Sequence, residues 1–220
     1  MKTAIFLIAC MLLPASLSAQ SLMRMYRMSY SISGMYATGG TKTDVAFTNG
    51  TTGTALDYER VRLSTRNGYF ISRNVMFGAE LTWNYRRDDS RPRPNANNYK
   101  YTESQRDIFV GPLIRWYQPV SMRWFVAPEL SVGYRHYLGE VEESSMNFAP
   151  LQSTNSAQGF GLNGGIGVGY FLSRHLVLDV AVRYSHHWLS GSHEIPGQPD
   201  FDLDHSGGEV GMLLGFQLLM

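Results

Sequence analysis

The sequence has little charge, few lysines and almost no cysteine. Charged residues make up 17% of its 220 residues, against about a quarter in an average globular protein. The 19 basic and 18 acidic residues nearly cancel, and only three of the basic residues are lysines. A chain without a strong net charge has no electrostatic means of holding a polyanion, so nucleic acid is excluded as an expected partner.

The only cysteine is Cys10, and it lies in an N-terminal segment with the features of a secretory signal peptide. One lysine precedes a short apolar core, a proline break and small residues before Gln20, and the core is about half of the roughly 20 residues that a spanning helix needs. We therefore predict a signal peptide over 1–19, no lipid on Cys10 and a mature domain over 20–220. The mature domain then lacks cysteine for a disulfide, a metal site or a nucleophile.

Beyond residue 25, apolar side chains alternate with glycine, serine and charged residues, and no stretch keeps the helical period. Within each segment the charged residues share one parity and the large apolar residues share the other. Alternation with period two is the pattern of a strand with two different faces. Eight strands are predicted, over 25–37, 60–70, 75–85, 107–117, 123–137, 159–171, 176–188 and 209–220.

The connections between these strands alternate in length. Three are short turns, within GYFISRN, WYQPVSMRWF and GYFLSRH, and four are long, polar segments over 38–58, 86–104, 138–158 and 189–206. An even number of strands with short turns at one rim and long loops at the other is typical of a bacterial outer-membrane barrel. The predicted fold is all-β: an eight-stranded antiparallel up-and-down transmembrane β-barrel with both termini in the periplasm.

The same alternation also describes a soluble barrel that turns its apolar face inward. The interior of eight strands is just wide enough to be filled by side chains, and the apolar face here has too many large aromatic and aliphatic residues to fit. The predicted outward aromatics also form two groups, as in the girdles of a bilayer-spanning barrel. The short-turn group is Tyr69, Trp116, Trp124 and Tyr170; the long-loop group is Tyr36, Trp83, Tyr85, Tyr134, Tyr184 and Trp188.

The chain resembles the small bacterial proteins of the outer membrane protein β-barrel domain family. The resemblance rests on the repeated turn GYF-x-S-R, the segment VGPLIRWYQP and an alternating last strand that reaches the end of the sequence. It implies insertion by the barrel-assembly machinery, which reads a C-terminal aromatic residue; here the last residue is Met220, with Phe216 on the same face. Because proline cannot donate to a ladder, a bulge or bend is expected near Pro112 and near Pro128.

The polar faces are expected to bring charges of both signs into the lumen. A salt-bridged plug is favoured over a charged permeation path, because an eight-stranded lumen leaves little room for water. A small-solute channel stays an alternative. The predicted inward set is Arg60, Arg62, Arg66, Arg115, Arg135 and Arg183 with Glu80, Glu129, Asp107, Asp179 and Glu209.

The segment 183–197 is similar to the part of lipid A 3-O-deacylases, also eight-stranded outer-membrane barrels, that carries their catalytic histidine and serine. The resemblance implies an esterase with His187 as the base and Ser190 as the nucleophile. A carboxylate would have to orient the histidine, and the only choices made for it, Glu194 or Glu209, are guesses from the sequence. Here two residues instead of one separate His187 from Ser190, and glycine replaces the asparagine that follows the serine. We therefore predict no catalytic residue and no enzyme, with the deacylase kept as an alternative.

Histidines near the C-terminus suggest a surface metal site or a proton switch. Their spacing is irregular, and the acidic run at 200–204 lacks the glycine and the distant glutamate of a calcium loop. A solvated acidic loop is favoured, with no metal and no cofactor. The histidines are His186, His187, His193 and His205.

The expected function is structural or surface interaction through the long extracellular loops. Expected partners are outer-membrane lipid, lipopolysaccharide, the barrel-assembly machinery and an extracellular ligand bound by the loops, because loops on a rigid scaffold commonly carry binding. The sequence names no ligand.

Overall fold

The computed structural model describes residues 26–47, 50–92, 100–145, 148–197, 199 and 201–220. The predicted signal peptide lies outside the described residues. Within them there is no helix long and apolar enough to cross a membrane. The strands are β1 (Met28–Phe47), β2 (Gly50–Phe70), β3 (Val75–Pro92), β4 (Lys100–Trp116), β5 (Gln118–Pro119), β6 (Trp124–Ser145), β7 (Phe148–Phe171), β8 (Leu176–Glu194) and β9 (Phe201–Leu219).

The strands form one closed antiparallel barrel. Each long strand pairs with the next along the chain, and β1 pairs with β9 to close the ring. The two-residue β5 continues β4, because it pairs with β6 in the same register as the end of β4. The predicted eight-stranded up-and-down barrel is therefore confirmed, with eight long strands and one short continuation.

The long connections differ from the prediction, because most of their residues belong to strands. The pairing of β1 with β2 continues to Phe47 and Gly50, and that of β6 with β7 continues to Ser145 and Phe148. These segments are rich in glycine, serine and asparagine, which have low intrinsic strand preference. Strand preference depends strongly on context, and a register already fixed in the barrel lets the backbone ladder continue. The long loops are thus extended β-hairpins.

The two faces of the wall follow the predicted parity. On β6, Leu130 points outward and is 50% exposed, whereas its neighbour Glu129 points inward and is 5% exposed. All six strand segments that carry predicted inward charges place them inside. Tyr26 has the parity of the outward aromatic Tyr36 but is buried, because it precedes β1 and turns into the lumen at the end of the barrel.

The bulge that was one expectation near Pro112 and Pro128 does not occur. The register is continuous past Pro112 and Pro128, and the register shift found in the described pairings lies between Glu143 and Ser145. Instead, the pairing of β4 with β6 is interrupted opposite each proline, and the interruption opposite Pro128 separates β4 from β5. A missing N–H donor costs one ladder bond without shifting the strand.

The three short turns share one geometry. The first apolar residue of each turn donates its N–H to the carbonyl oxygen four residues ahead, at 2.9 Å. A serine follows it in every case; Ser121 and Ser173 accept backbone N–H groups through Oγ at 3.1–3.3 Å. The turns cover ISRN at 71–74, VSMR at 120–123 and LSRH at 172–175.

Candidate functional site: the barrel lumen

An apolar layer closes the lumen at the short-turn end. Its rings form a chain across the barrel, with centroids 5.1 Å apart for Phe70 and Tyr117, 5.2 Å for Tyr117 and Phe125, and 5.7 Å for Phe125 and Phe171. Tyr26 extends the chain from Phe171. These separations are those of favourable aromatic pairs. Buried Met76, Leu113, Val177 and Leu219 fill the space around the rings.

A layer of ion pairs lies directly above this apolar seal. It consists of three arginines and three carboxylates, all almost completely buried, so its formal charges balance. The guanidinium carbon of Arg115 lies 5.2 Å from the centre of the Tyr117 ring, which joins the two layers by a cation–π contact. The members are Arg66, Arg115 and Arg183 with Glu80, Glu129 and Asp179.

Glu129 is the centre of the ionic layer, because it contacts all three arginines. Its carboxylate oxygens lie 2.8 Å from Arg66 Nη1, 3.4 Å from Arg115 Nε and 2.8 Å from Arg183 Nε. Asp179 holds the first two arginines from the other side, and Glu80 accepts two bonds of 2.6 Å from Arg183. Removing one partner of a buried ion pair leaves an uncompensated buried charge, so the layer is stable only as a whole.

Glycines on the inward face of β7 make room for both layers. A methyl group at Gly167 would lie 2.5 Å from Arg115 Nη2 and 3.0 Å from Asp179 Oδ1, and one at Gly169 would overlap the Phe125 ring. A larger residue at either position would force these buried groups apart. The glycine stripe of β7 is therefore a packing requirement of the closed lumen.

Replacing Gly167 by valine is expected to destabilise the barrel by about 1–3 kcal/mol, the usual cost of overpacking. Gly164→Val is the matched control on the same strand, because a methyl group there meets only Leu130 Cδ1 at 3.7 Å. Urea unfolding in detergent, followed by tryptophan fluorescence, measures both. Equal losses of stability for the two variants would contradict the packing role of Gly167.

Above the ionic layer the lumen opens into a vestibule of about 460 Å³. Its charges are already paired: Arg135 Nε donates to Asp107 Oδ1 at 2.7 Å, and both Arg60 and Arg62 bind Glu209. All eleven charged residues predicted for the lumen are thus inside it and in ion pairs. The vestibule is also lined by Asn84, Arg86, Glu103, Tyr137, His187 and His205.

Tyr137 lies on β6 beyond the outward aromatic Tyr134, outside the lipid-facing band. Burial in the vestibule and the nearby charge of Glu103 raise the pKa of Tyr137 to about 12. Its hydroxyl therefore stays protonated and neutral at physiological pH.

A sequence model described as the outer membrane protein beta-barrel domain matches residues 6–211. The chain belongs to this family. Members of the family are outer-membrane proteins, so the outward apolar face of this barrel is the face that contacts lipid. The predicted aromatic girdles point outward on this face, among them Tyr69, Trp116 and Trp124 near the short turns and Trp83, Tyr134 and Trp188 farther along.

Solved outer-membrane barrels match this chain at low sequence identity. The outer membrane protein OprG from Pseudomonas aeruginosa matches with a TM-score of 0.50 and 17% identity, over 90% of this chain and 98% of that one. A major outer membrane protein from Thermus thermophilus matches with a TM-score of 0.49 and 13% identity, over 88% and 99%. At 17% identity the likeness to OprG shows the fold alone.

Ail, the attachment invasion locus protein of Yersinia pestis, solved in complex with the heparin analogue sucrose octasulfate, also matches. Its TM-score is 0.44 and its identity 13%, over 88% of this chain and 98% of Ail. No curated protein sequence matches the chain significantly.

The esterase pair suggested by segment 183–197 is not assembled in this barrel. His187 points into the vestibule, where its Nδ1 lies 3.0 Å from Arg135 Nη1, whereas Ser190 is exposed on the opposite face of β8. Residues three apart on a strand point to opposite sides. Glu209, one suggested third member, is held by Arg60 and Arg62, and Glu194, the other, is exposed at the end of β8.

The histidines are also divided between the faces. His187 stacks on His205 with ring centroids 4.9 Å apart inside the barrel, whereas His186 packs against Trp188 outside. His193 contacts Asn155. Across the part of the chain that the structure describes, no three histidine, cysteine or acidic side chains come together as a metal site.

The sequence interpretation missed the aromatic rings inside the lumen. It assigned the lumen to glycine, serine and charged residues, yet Phe109, Tyr117, Phe125 and Phe171 are buried inside. Phe109, Tyr117 and Phe125 have the parity of the charged residues on their own predicted strands, as Tyr117 has with Arg115, and Phe171 has the parity of the inward glycines on β7. The alternation alone therefore contained the signal that these rings point inward.

Proposed function

We propose that this protein is a closed outer-membrane barrel that neither conducts solutes nor catalyses a reaction, and that it displays its long hairpins at the cell surface for interaction. The main support for the proposal is the difference between the two halves of the barrel along its axis. The lipid-facing half is filled by the seal and the ionic layer, whereas the other half is an extended wall of paired strands.

The length of the hairpins supports a role outside the membrane. A strand tilted in a barrel needs about 9–11 residues to cross a bilayer, and the long strands have 17 to 24. From Tyr134, in the outer aromatic girdle, β6 continues for 11 further residues to Ser145. At about 3.3 Å per residue and a tilt near 40°, this is roughly 25–30 Å of wall beyond the lipid.

The proposal places the short turns and both ends of the barrel in the periplasm and the hairpins outside the cell. A signal peptide over 1–19 belongs to the same proposal, and intact-mass analysis of the purified protein tests it. The C-terminal strand β9 is assigned as the segment recognised by the barrel-assembly machinery, since its outward residues alternate in an apolar row up to Met220.

The closed lumen predicts that the purified protein produces no stepwise conductance in a planar lipid bilayer in molar salt. The reason is that buried rings and paired charges fill the lumen, so hydrated ions meet no continuous water path. A pore-forming barrel measured under the same conditions serves as the positive control. Reproducible unitary currents from the folded protein would instead favour the small-solute channel.

Surface display is tested by cysteine labelling on intact cells with a membrane-impermeant maleimide. Cys10 is the only native cysteine, so Pro196→Cys in the β8–β9 connection and Met122→Cys in a short turn give single reporters in a Cys10→Ser background. We expect rapid labelling at 196, and labelling at 122 only after permeabilisation. The reverse pattern would overturn the orientation and with it the surface role.

A further inference from the structure

The short-turn end of the barrel has an arginine at every turn and no acidic side chain among its described residues. Arg73, Arg123 and Arg174 each occupy one of the three turns, and Arg27 precedes β1 at the same end. All four are exposed. The described parts of this end, 26–31, 67–77, 114–125, 169–177 and 215–220, contain neither aspartate nor glutamate.

The hairpin end has the opposite balance. Acidic side chains outnumber basic ones among its described residues, and two of its exposed arginines are paired with carboxylates, Arg86 with Asp88 and Arg87 with Asp89. The acidic residues include Glu59, Glu140, Glu142, Glu143, Glu194, Asp202 and Asp204. The barrel thus has a basic end and an acidic end, although its net charge is near zero.

Each turn also exposes an aliphatic side chain close to its arginine. Ile71 is 66% exposed, Met122 73% and Leu172 50%. Ile71 and Leu172 are the first residues of their turns and Met122 is the third, so each apolar side chain lies one or two positions before the arginine of its turn. Arginine with an apolar neighbour suits the boundary of a bilayer, where the stem packs on acyl chains and the guanidinium reaches the headgroups.

We propose that this basic rim binds the phosphate groups of anionic phospholipids, and that it concentrates these lipids around the short-turn end. A guanidinium matches phosphate oxygens with paired N–H donors. The side chain of Arg123 is fixed near the lipid face, because its Nη1 donates to Tyr170 Oη at 3.1 Å. The Tyr170 ring in turn packs on Trp124, with ring centroids 4.7 Å apart. The inference rests on the lipid-facing barrel and goes beyond the proposed surface role.

The four tryptophans allow a direct test, because two lie at each end. Trp116 and Trp124 report on the short-turn rim in a Trp83→Phe/Trp188→Phe variant, and the reciprocal variant reports on the other girdle. Each is reconstituted in vesicles of phosphatidylglycerol and phosphatidylcholine at one to three. Bromine on the acyl chains quenches nearby tryptophan fluorescence, and it is placed on phosphatidylglycerol in one sample and on phosphatidylcholine in the other. The ratio of the two quenching efficiencies, divided by the ratio expected for random mixing, gives the local enrichment of phosphatidylglycerol.

We expect phosphatidylglycerol to be enriched roughly two- to fivefold at the short-turn reporters. The reason is that the attraction between one basic residue and an anionic lipid surface changes the binding constant by about fivefold. The hairpin-end reporters should give a ratio near one. Replacing the four arginines by glutamine should bring the short-turn ratio close to one. Circular dichroism checks that this variant is folded.

The comparison between the two ends of the otherwise unchanged barrel keeps the test decisive even if the glutamine variant misfolds. Equal ratios at the two ends would overturn the proposal. An enrichment that persists in the folded glutamine variant would overturn it as well.

Discussion

Glu129→Gln is expected to lower the free energy of unfolding by about 3–5 kcal/mol, the usual cost of removing one partner from a buried ionic cluster. Glu129 bridges Arg66, Arg115 and Arg183, and its loss leaves three buried guanidinium groups facing two carboxylates. An amide accepts a hydrogen bond but cannot neutralise the extra charge. Urea unfolding in detergent, monitored by tryptophan fluorescence, measures the loss.

Glu142→Gln is the matched control, because it makes the same chemical change on the same strand at an exposed hairpin position. Its effect should stay within about 0.5 kcal/mol, as for most surface substitutions. If the two variants had the same stability, the ionic layer would not hold the lumen together in the way that its contacts indicate.

Leu130→Arg is expected to destabilise the membrane-inserted barrel by about 2–4 kcal/mol, the cost of a cation at the lipid face near the bilayer midplane. Leu130 points outward on β6, between Trp124 at one girdle and Tyr134 at the other. The variant should also accumulate less folded protein in the outer membrane. Equilibrium unfolding from phosphatidylcholine vesicles gives the energy, and membrane fractionation gives the yield.

Leu130→Met keeps the side chain apolar and of similar volume, so its stability should stay close to that of the parent. A Leu130→Arg barrel as stable as the Leu130→Met barrel would mean that position 130 does not face lipid. Because Leu130 and Glu129 are neighbours with opposite orientations, the two large predictions test the two faces of the wall independently.

The sequence was sufficient for the barrel and for its two faces, since period-two alternation decides the orientation of each residue once one strand face is known. The same rule separates His187 from Ser190, which are three positions apart, and turns Tyr117 inward with Arg115. Orientation is a local property, so a single sequence can reveal it.

The particular partners in the lumen could not be read from the sequence. Glu129 meets Arg66 and Arg183 from distant strands, and these meetings depend on the stagger between strands as the barrel closes. The sequence also did not predict that the strands continue into the long connections, for a different reason. Their glycine-rich and serine-rich segments have weak strand preference, and the ladder through Phe47 and Gly50 depends on a register set elsewhere.

The central claim is that the even-numbered residues of β6 between Trp124 and Tyr134 face lipid, while the odd-numbered ones face a filled lumen. Nitroxide labels at single cysteines at 130, 131, 132 and 134, in a Cys10→Ser background, test it most directly through their accessibility to oxygen and to a water-soluble nickel chelate. Positions 130, 132 and 134 should be accessible to oxygen, and 131 should be poorly accessible to either reagent. Opposite alternation, or strong access of the nickel chelate at 131, would contradict the account.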